Sequence, residues 1–136
     1  MNSNNQNPGR DVRVKLSTLW IFVLINMAYA DILSLMDTTS PIRQVMEGAP
    51  LPSGGLLAGA ILMETGIAMI ILSRVLKYQV NRWANIILAA INILGVVTGG
   101  HSLYYIFFAT IEAVGMLLII WFAWRWKPVV EPNTND

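Results

Sequence analysis

The feature that most constrains this chain is the apolar run from Leu56 to Leu72, which carries a single carboxylate, Glu64, near its middle. A run of that length reads as a membrane-spanning helix. In hydrocarbon the backbone N–H and C=O groups find partners only within such a segment, and a helix supplies them all. An acid at bilayer depth costs about 3 kcal/mol on insertion scales. Glu64 is therefore expected to turn toward protein or water rather than lipid.

Three more stretches have the same character, about 16–36, 83–99 and 103–124. Composition agrees: 55% of the 136 residues are hydrophobic and 12% are charged, against about 25% charged in soluble domains. The expected fold is all-α, a four-helix transmembrane bundle forming one domain over 15–127. Asn-rich residues 1–14 and the polar tail 128–136 are expected to be cytoplasmic, the former disordered. A net charge of +1 gives no field that would attract nucleic acid. There is no cysteine and only one histidine, His101. That excludes disulfides, iron–sulfur clusters, haem held by two histidines of one chain and zinc held by several imidazoles. The sequence names no cofactor. A metal would need His101 with Asp31 or Glu112, and no motif spacing supports that set.

The first span has a basic flank, Arg10, Arg13 and Lys15, and Trp20 near its start, where an interfacial aromatic is expected. Its Ala28-Tyr29-Ala30 has the form of a signal-peptide cleavage site. The apolar run continues through Ile32, Leu33, Leu35 and Met36, and Asn26 interrupts the would-be leader core, so an intact span is expected. Residues 37–55 form the longest connection. Within it Ser40-Pro41 is a helix start with proline at the first helical position. Ile42, Val45 and Met46 follow on one face and Gly48 stops the turn. A short amphipathic helix lying on the outer surface, between spans one and two, is predicted. In the third span Asn85, Asn92 and Gly99 fall seven apart, with Ala89 and Gly95 near the same line, giving a small and polar stripe. Trp121, Trp124 and Trp126 are expected to form an aromatic belt at the far interface. Arg74, Lys77 and Arg82 read as topology determinants, with contact to anionic lipid as a secondary use.

Five polar groups fall within membrane depth: Asn26, Asp31, Glu64, Asn92 and Glu112. At about 1.5 Å per residue, all but Asp31 lie near one level, and Asp31 sits closer to the outer surface. Glu112 shares a helical face with Tyr105, Phe108 and Gly115, and His101 joins it if the helix starts early. His101, Tyr105 and Glu112 would then line a path inward. With Tyr29 added, these residues are the binding candidates, and no catalytic residue is assigned. One reading is an outward-facing polar cavity, with carboxyls able to change protonation, that binds or transports a small molecule or proton. Another is an accessory or structural subunit of a membrane complex, whose polar layer only sets helix register. A lipid- or quinone-directed enzyme would need carboxyl and tyrosine acid–base work without a nucleophile motif. The partners expected are the bilayer and a homo-oligomer or membrane partner protein.

Arg13-Val14-Lys15-Leu16-Ser17-Thr18-Leu19-Trp20, Tyr29-Ala30-Asp31-Ile32-Leu33-Ser34-Leu35-Met36, Leu72 to Tyr78, Asn81 to Asn85, and Leu103-Tyr104-Tyr105 with Glu112 and Trp121 carry a resemblance. Together these strings resemble a family of small bacterial four-span membrane proteins of unknown function. The likeness implies a bacterial inner membrane location and an uncleaved first span, and it implies no activity. In size and layout the chain is also similar to DoxX-like four-helix proteins, a likeness of architecture that carries no residue roles.

Eight of the nine Lys and Arg fall in the N-terminal flank, the Ser73–Arg82 turn and the C-terminal flank, and Arg43 stands alone on the other side. The excess places both termini in the cytoplasm. Fluorescent-protein and alkaline-phosphatase fusions at the C-terminus check this: the first is expected to fluoresce and the second to stay inactive.

Overall fold

The computed structural model describes residues 8–50, 53–98 and 100–127. Five helices follow in order: α1 Pro8–Ser34, α2 Pro41–Met46, α3 Ser53–Val75, α4 Tyr78–Val97 and α5 Leu103–Arg125. Four of them are long and apolar enough to cross a membrane. The short one sits between spans one and two, as the Ser40-Pro41 signal predicts. Helix α1 begins at Pro8, whose fixed φ suits the first helical turn, so Arg10, Asp11, Arg13 and Lys15 are already helical. Residues 1–7 and the tail 128–136 lie outside the described residues, as does Gly99.

The end of α1 explains α2. A helix leaves its last four carbonyls without intrahelical partners. Two of the groups at this end are taken up by the connection. The hydroxyl of Ser40 donates to Ser34 O, and Arg43 Nη1 donates to Leu35 O at 3.1 Å. The Ser40 hydroxyl also accepts from Arg43 N, so one side chain caps α2 and ties it back to α1. The apolar run therefore leaves the helix at Leu35. The turn after α2 uses Gly48 at φ +103°, a backbone region that suits glycine.

The spanning helices form a ring in which chain neighbours are spatial neighbours: α1 lies against α3 and α5, and α4 against α3 and α5. The start of α1 meets the end of α3, and the start of α4 meets the end of α5. We call that the termini end and the opposite one the loop end. The termini half is closely packed around Leu16, Trp20, Val23, Met69, Met116, Ile119, Ala123 and Trp126. Two glycines allow the approach. A Cβ on Gly66 would stand 2.9 Å from Leu24 of α1, and one on Gly115 would stand 2.7 Å from Val23. Small residues let helix backbones come together where lipid offers no hydrophobic drive. Gly95, in α4, has Leu62 of α3 in the same role.

The loop half differs. Every residue of α3 from Gly54 to Ile61 is exposed, and Gly59 has open space around it. Many other apolar side chains, among them Phe22, Ile25, Ile67, Leu94, Phe107 and Leu117, are exposed on the outside of the bundle. Trp20 corrects the expectation of an interfacial aromatic. It is fully buried, because its indole N–H has a partner on α4. Trp126, assigned to the belt, is buried as well, edge-on against Tyr78, while Trp121 and Trp124 are exposed.

Overpacking a close contact costs about 1–3 kcal/mol. Gly115→Leu is expected to lower unfolding stability by that amount in an SDS titration of detergent-solubilised protein, and Gly59→Ala to leave it within error.

Candidate functional site: a carboxyl-lined cleft

The open half of α3 leaves a cleft of about 180 Å³ among all four spans. Helix α1 contributes Asp31, α4 contributes Asn92, and α5 contributes Tyr105 and Glu112; Gly59, Leu62 and Met63 of α3 form an apolar wall. Glu112 points inward because its helix buries the face Glu112, Gly115, Met116, Ile119 and Ala123. Helix α4 buries Asn81, Asn85, Ala89, Asn92 and Val96, which brings Asn92 to the same place. Asn85, Ala89 and Asn92 of the stripe anticipated on the third span thus lie on its buried face, Gly95 is half-buried beside them, and Gly99 is outside the described residues.

A larger hollow of about 650 Å³ lies at the loop end, and Asp31 and Tyr105 line both spaces. Its walls include Asp37, Ser40, His101 and Tyr104. The order His101, Tyr105, Asp31, Glu112 therefore leads from the loop end into the bundle. His101 precedes the helix, which starts at Leu103 after Ser102, so it stands at the mouth and is exposed. Tyr104 and Tyr105 act as ties. Tyr104 donates to the Ser34 hydroxyl at 3.2 Å and joins α5 to α1, and Tyr105 donates to Val96 O at 3.0 Å and joins α5 to α4.

The cleft offers acceptors. Asn92 gives one amide proton to Leu88 O, and the Tyr105 proton is committed to Val96 O. Asn92 keeps its second N–H and its oxygen, and Tyr105 keeps its oxygen alone. Glu112 is 4% exposed, and its Oε1 is buried with no hydrogen-bond partner. A buried acceptor of this kind carries its full desolvation cost unless something donates to it. Among the described residues, no Lys or Arg lines either space. At the mouth, Asp37 accepts from the Thr39 hydroxyl at 2.7 Å and from Thr39 N at 2.9 Å. These bonds, the hydroxyl's first, hold its carboxyl below the usual aspartate range, so it is negative throughout neutral pH. Among the described residues the one Lys or Arg of this end, Arg43, is paired with Glu47 at 2.8 Å.

Three anticipated members do not join. Glu64 is exposed on α3 and lines neither space, because α3 turns its buried positions Gly66, Met69 and Ser73 to the bundle instead. The expectation that it faces inward is corrected. Asn26 is half-buried and donates to Phe22 O of its own helix. Tyr29 is exposed, its ring 5.7 Å from that of Phe108, outside both spaces.

A polar cluster at the termini end was not anticipated. The Trp20 indole N–H donates to Asn85 Oδ1 at 2.8 Å, and the Ser73 hydroxyl donates to the same atom at 3.2 Å. Asn85 Nδ2 donates to Asn81 Oδ1 and O, and Asn81 Nδ2 donates to Ser73 O. Beside them, Arg74 Nε donates to the Ser17 hydroxyl, which donates to Ile70 O. Asn85 belongs to the anticipated stripe, and Asn81, four residues earlier on the same line, extends it; that spacing is the signal that could have found Asn81. Removing one partner from a buried bond leaves the other unsatisfied, at about 1–3 kcal/mol. Trp20→Phe is expected to destabilise the protein by that amount, and thermal unfolding in detergent checks it.

No curated protein and no solved structure matches this chain. A family model described as "Family of unknown function (DUF6326)" matches residues 9–131, from the first turns of α1 to beyond the end of α5. The chain, with four apolar helices of spanning length around a carboxyl-lined cleft, belongs to that family.

Proposed function

We propose that this protein binds a small cation or amine, the proton included, between Asp31 and Glu112, and that the cleft admits it from the loop end. The reading rests on one observation above all: Glu112 Oε1 is buried and unpartnered in a cleft that holds a second carboxyl and, among the described residues, no protein cation. Two carboxyls lining one cleft, Glu112 buried and Asp31 exposed, repel each other, and a cation between them is favoured. The negative Asp37 at the mouth adds attraction on approach. With the basic flanks of the termini end in the cytoplasm of a bacterial plasma membrane, the mouth faces outward, and the protein takes its ligand from that side.

Alkylammonium ions of increasing size, from methylammonium to tetraethylammonium, are the probes. Isothermal titration of the detergent-solubilised protein is expected to show binding of the smaller ions. Glu112→Gln should weaken it at least tenfold, about 1.4 kcal/mol, and Asp31→Asn should weaken it less. Asn26→Ala should leave it unchanged. Binding that survives Glu112→Gln, or none at all by the unmodified protein, would remove this reading.

A second reading is supported by Glu64. It lies at the middle of α3 and is exposed there. A carboxyl facing acyl chains is costly, and cover by another protein would relieve it. On this reading α3 is the assembly face of an accessory subunit or homo-oligomer. Crosslinking from cysteine introduced at Gly59 or Ile67 is expected to give a defined dimer if a second copy covers the face. Glu64→Leu is then expected to alter its yield.

A further inference from the structure

A separate feature stands at the termini end. The start of α4 and the end of α5 enclose a cleft of about 390 Å³, lined by Tyr78, Arg82, Trp124, Arg125, Trp126 and Lys127. Three cations converge there, and among the described residues no carboxylate is in the lining. Its shape is held by protein contacts. The Tyr78 hydroxyl donates to Trp126 O at 2.6 Å, and the Tyr78 ring stands edge-on to Trp126 at 5.0 Å. The guanidinium of Arg82 lies 5.3 Å from the Trp124 ring centre, and that of Arg125 lies 4.8 Å from Trp121. Ring contacts position a guanidinium without neutralising it.

Two other cations of this end, Arg13 and Arg74, are engaged in hydrogen bonds. Arg13 Nη1 donates to Arg74 O, and Arg74 Nε donates to Ser17. Arg82 differs, since its Nε is buried and has no hydrogen-bond partner. A buried N–H of a charged group calls for an acceptor, and one carrying negative charge returns the most. The cleft lies where two spanning helices leave the apolar layer, at the level of lipid headgroups. The acceptor most abundant at that level is phosphate, whose several oxygens suit the planar donor forks of two arginines with a lysine beside them.

We propose that Arg82, Arg125 and Lys127 form a phosphate-binding site. It is distinct from the carboxyl cleft at the other end of the bundle and independent of what that cleft binds. The phosphate is the diester of an anionic lipid headgroup or a free phosphate, and the chemistry of recognition is the same for both. Fixed donors would make this a position-specific contact, unlike the diffuse attraction of a basic flank for an anionic surface.

The test uses the full chain in dodecyl maltoside, with phosphatidylglycerol, phosphatidylcholine and inorganic phosphate as probes. Lipid retention is read by native mass spectrometry. Phosphatidylglycerol is expected to be retained in preference to phosphatidylcholine. The double variant Arg82→Gln with Arg125→Gln should weaken retention about tenfold. A control of equal charge, Arg10→Gln with Lys15→Gln, alters exposed cations outside the cleft lining and should change retention less than twofold. Arg82→Lys keeps the charge but loses the fork. It guards against misfolding of the double variant and should weaken retention several-fold with unchanged circular dichroism. Displacement of the lipid by millimolar inorganic phosphate would assign the site to free phosphate as well, and resistance to displacement would assign it to the lipid diester. Equal losses in the cleft and control variants, or equal retention of the two lipids, would overturn the proposal.

Discussion

The structure depends on closing one end of the bundle with amides. Asn85 sits where α1, α3 and α4 converge, and it takes a bond from the Trp20 indole and another from Ser73 while giving its own protons to Asn81. In lipid, apolar side chains gain little by leaving acyl chains for one another, so packing and hydrogen bonds must hold helices together. These side chains supply the bonds, and Gly66 and Gly115 supply the room for close packing beside them. Trp20 serves both purposes, since its indole fills the core that the glycines open and its N–H ends on an amide oxygen.

Closure at one end leaves freedom at the other. With α1, α3 and α5 drawn together around Trp20, Val23 and Met116, α3 departs from the bundle in its first half. The space so formed has an apolar wall from α3 facing the carboxyls of Asp31 and Glu112, whereas the amides of the closed end bond to one another and to Trp20 and Ser73. Charge follows the same division. Carboxyls gather at the loop end, where Arg43 is paired with Glu47. Cations gather at the termini end, where aromatic rings support several of them. Two chemically opposite clefts at the ends of one small bundle are a consequence of that asymmetry.

Much of this could be read from residues alone, for identifiable reasons. The four spans are legible because hydrocarbon demands long apolar helices. The short helix is legible because Ser40-Pro41 is a local start signal and Gly48 a local stop. The inward face of α4 is legible because amides repeat at helical spacing on an apolar background. Depth brings Glu112 level with Asn92 and helical face puts it with Tyr105, and all three line one cleft with Asp31. Glu64 lines no part of it, because a central acid says that a partner is needed and not where the partner lies. The roles of Asn81 and Trp20 in the bundle are not legible, because both sit near helix ends, where polar and aromatic side chains usually meet the interface, and the stripe that holds Asn85 does not name its partners.

The sequence by itself determined the number of spans, their limits to within a few residues and the distribution of charge between the two ends. Each of these follows from local composition and from the solvent around a single helix. Only the tertiary structure decided which polar groups meet. That choice depends on how each helix is rotated about its axis, and the rotation is set by contacts such as Gly115 against Val23 and Trp20 against Asn85. Those partners are far apart in the chain, and no local pattern announces them.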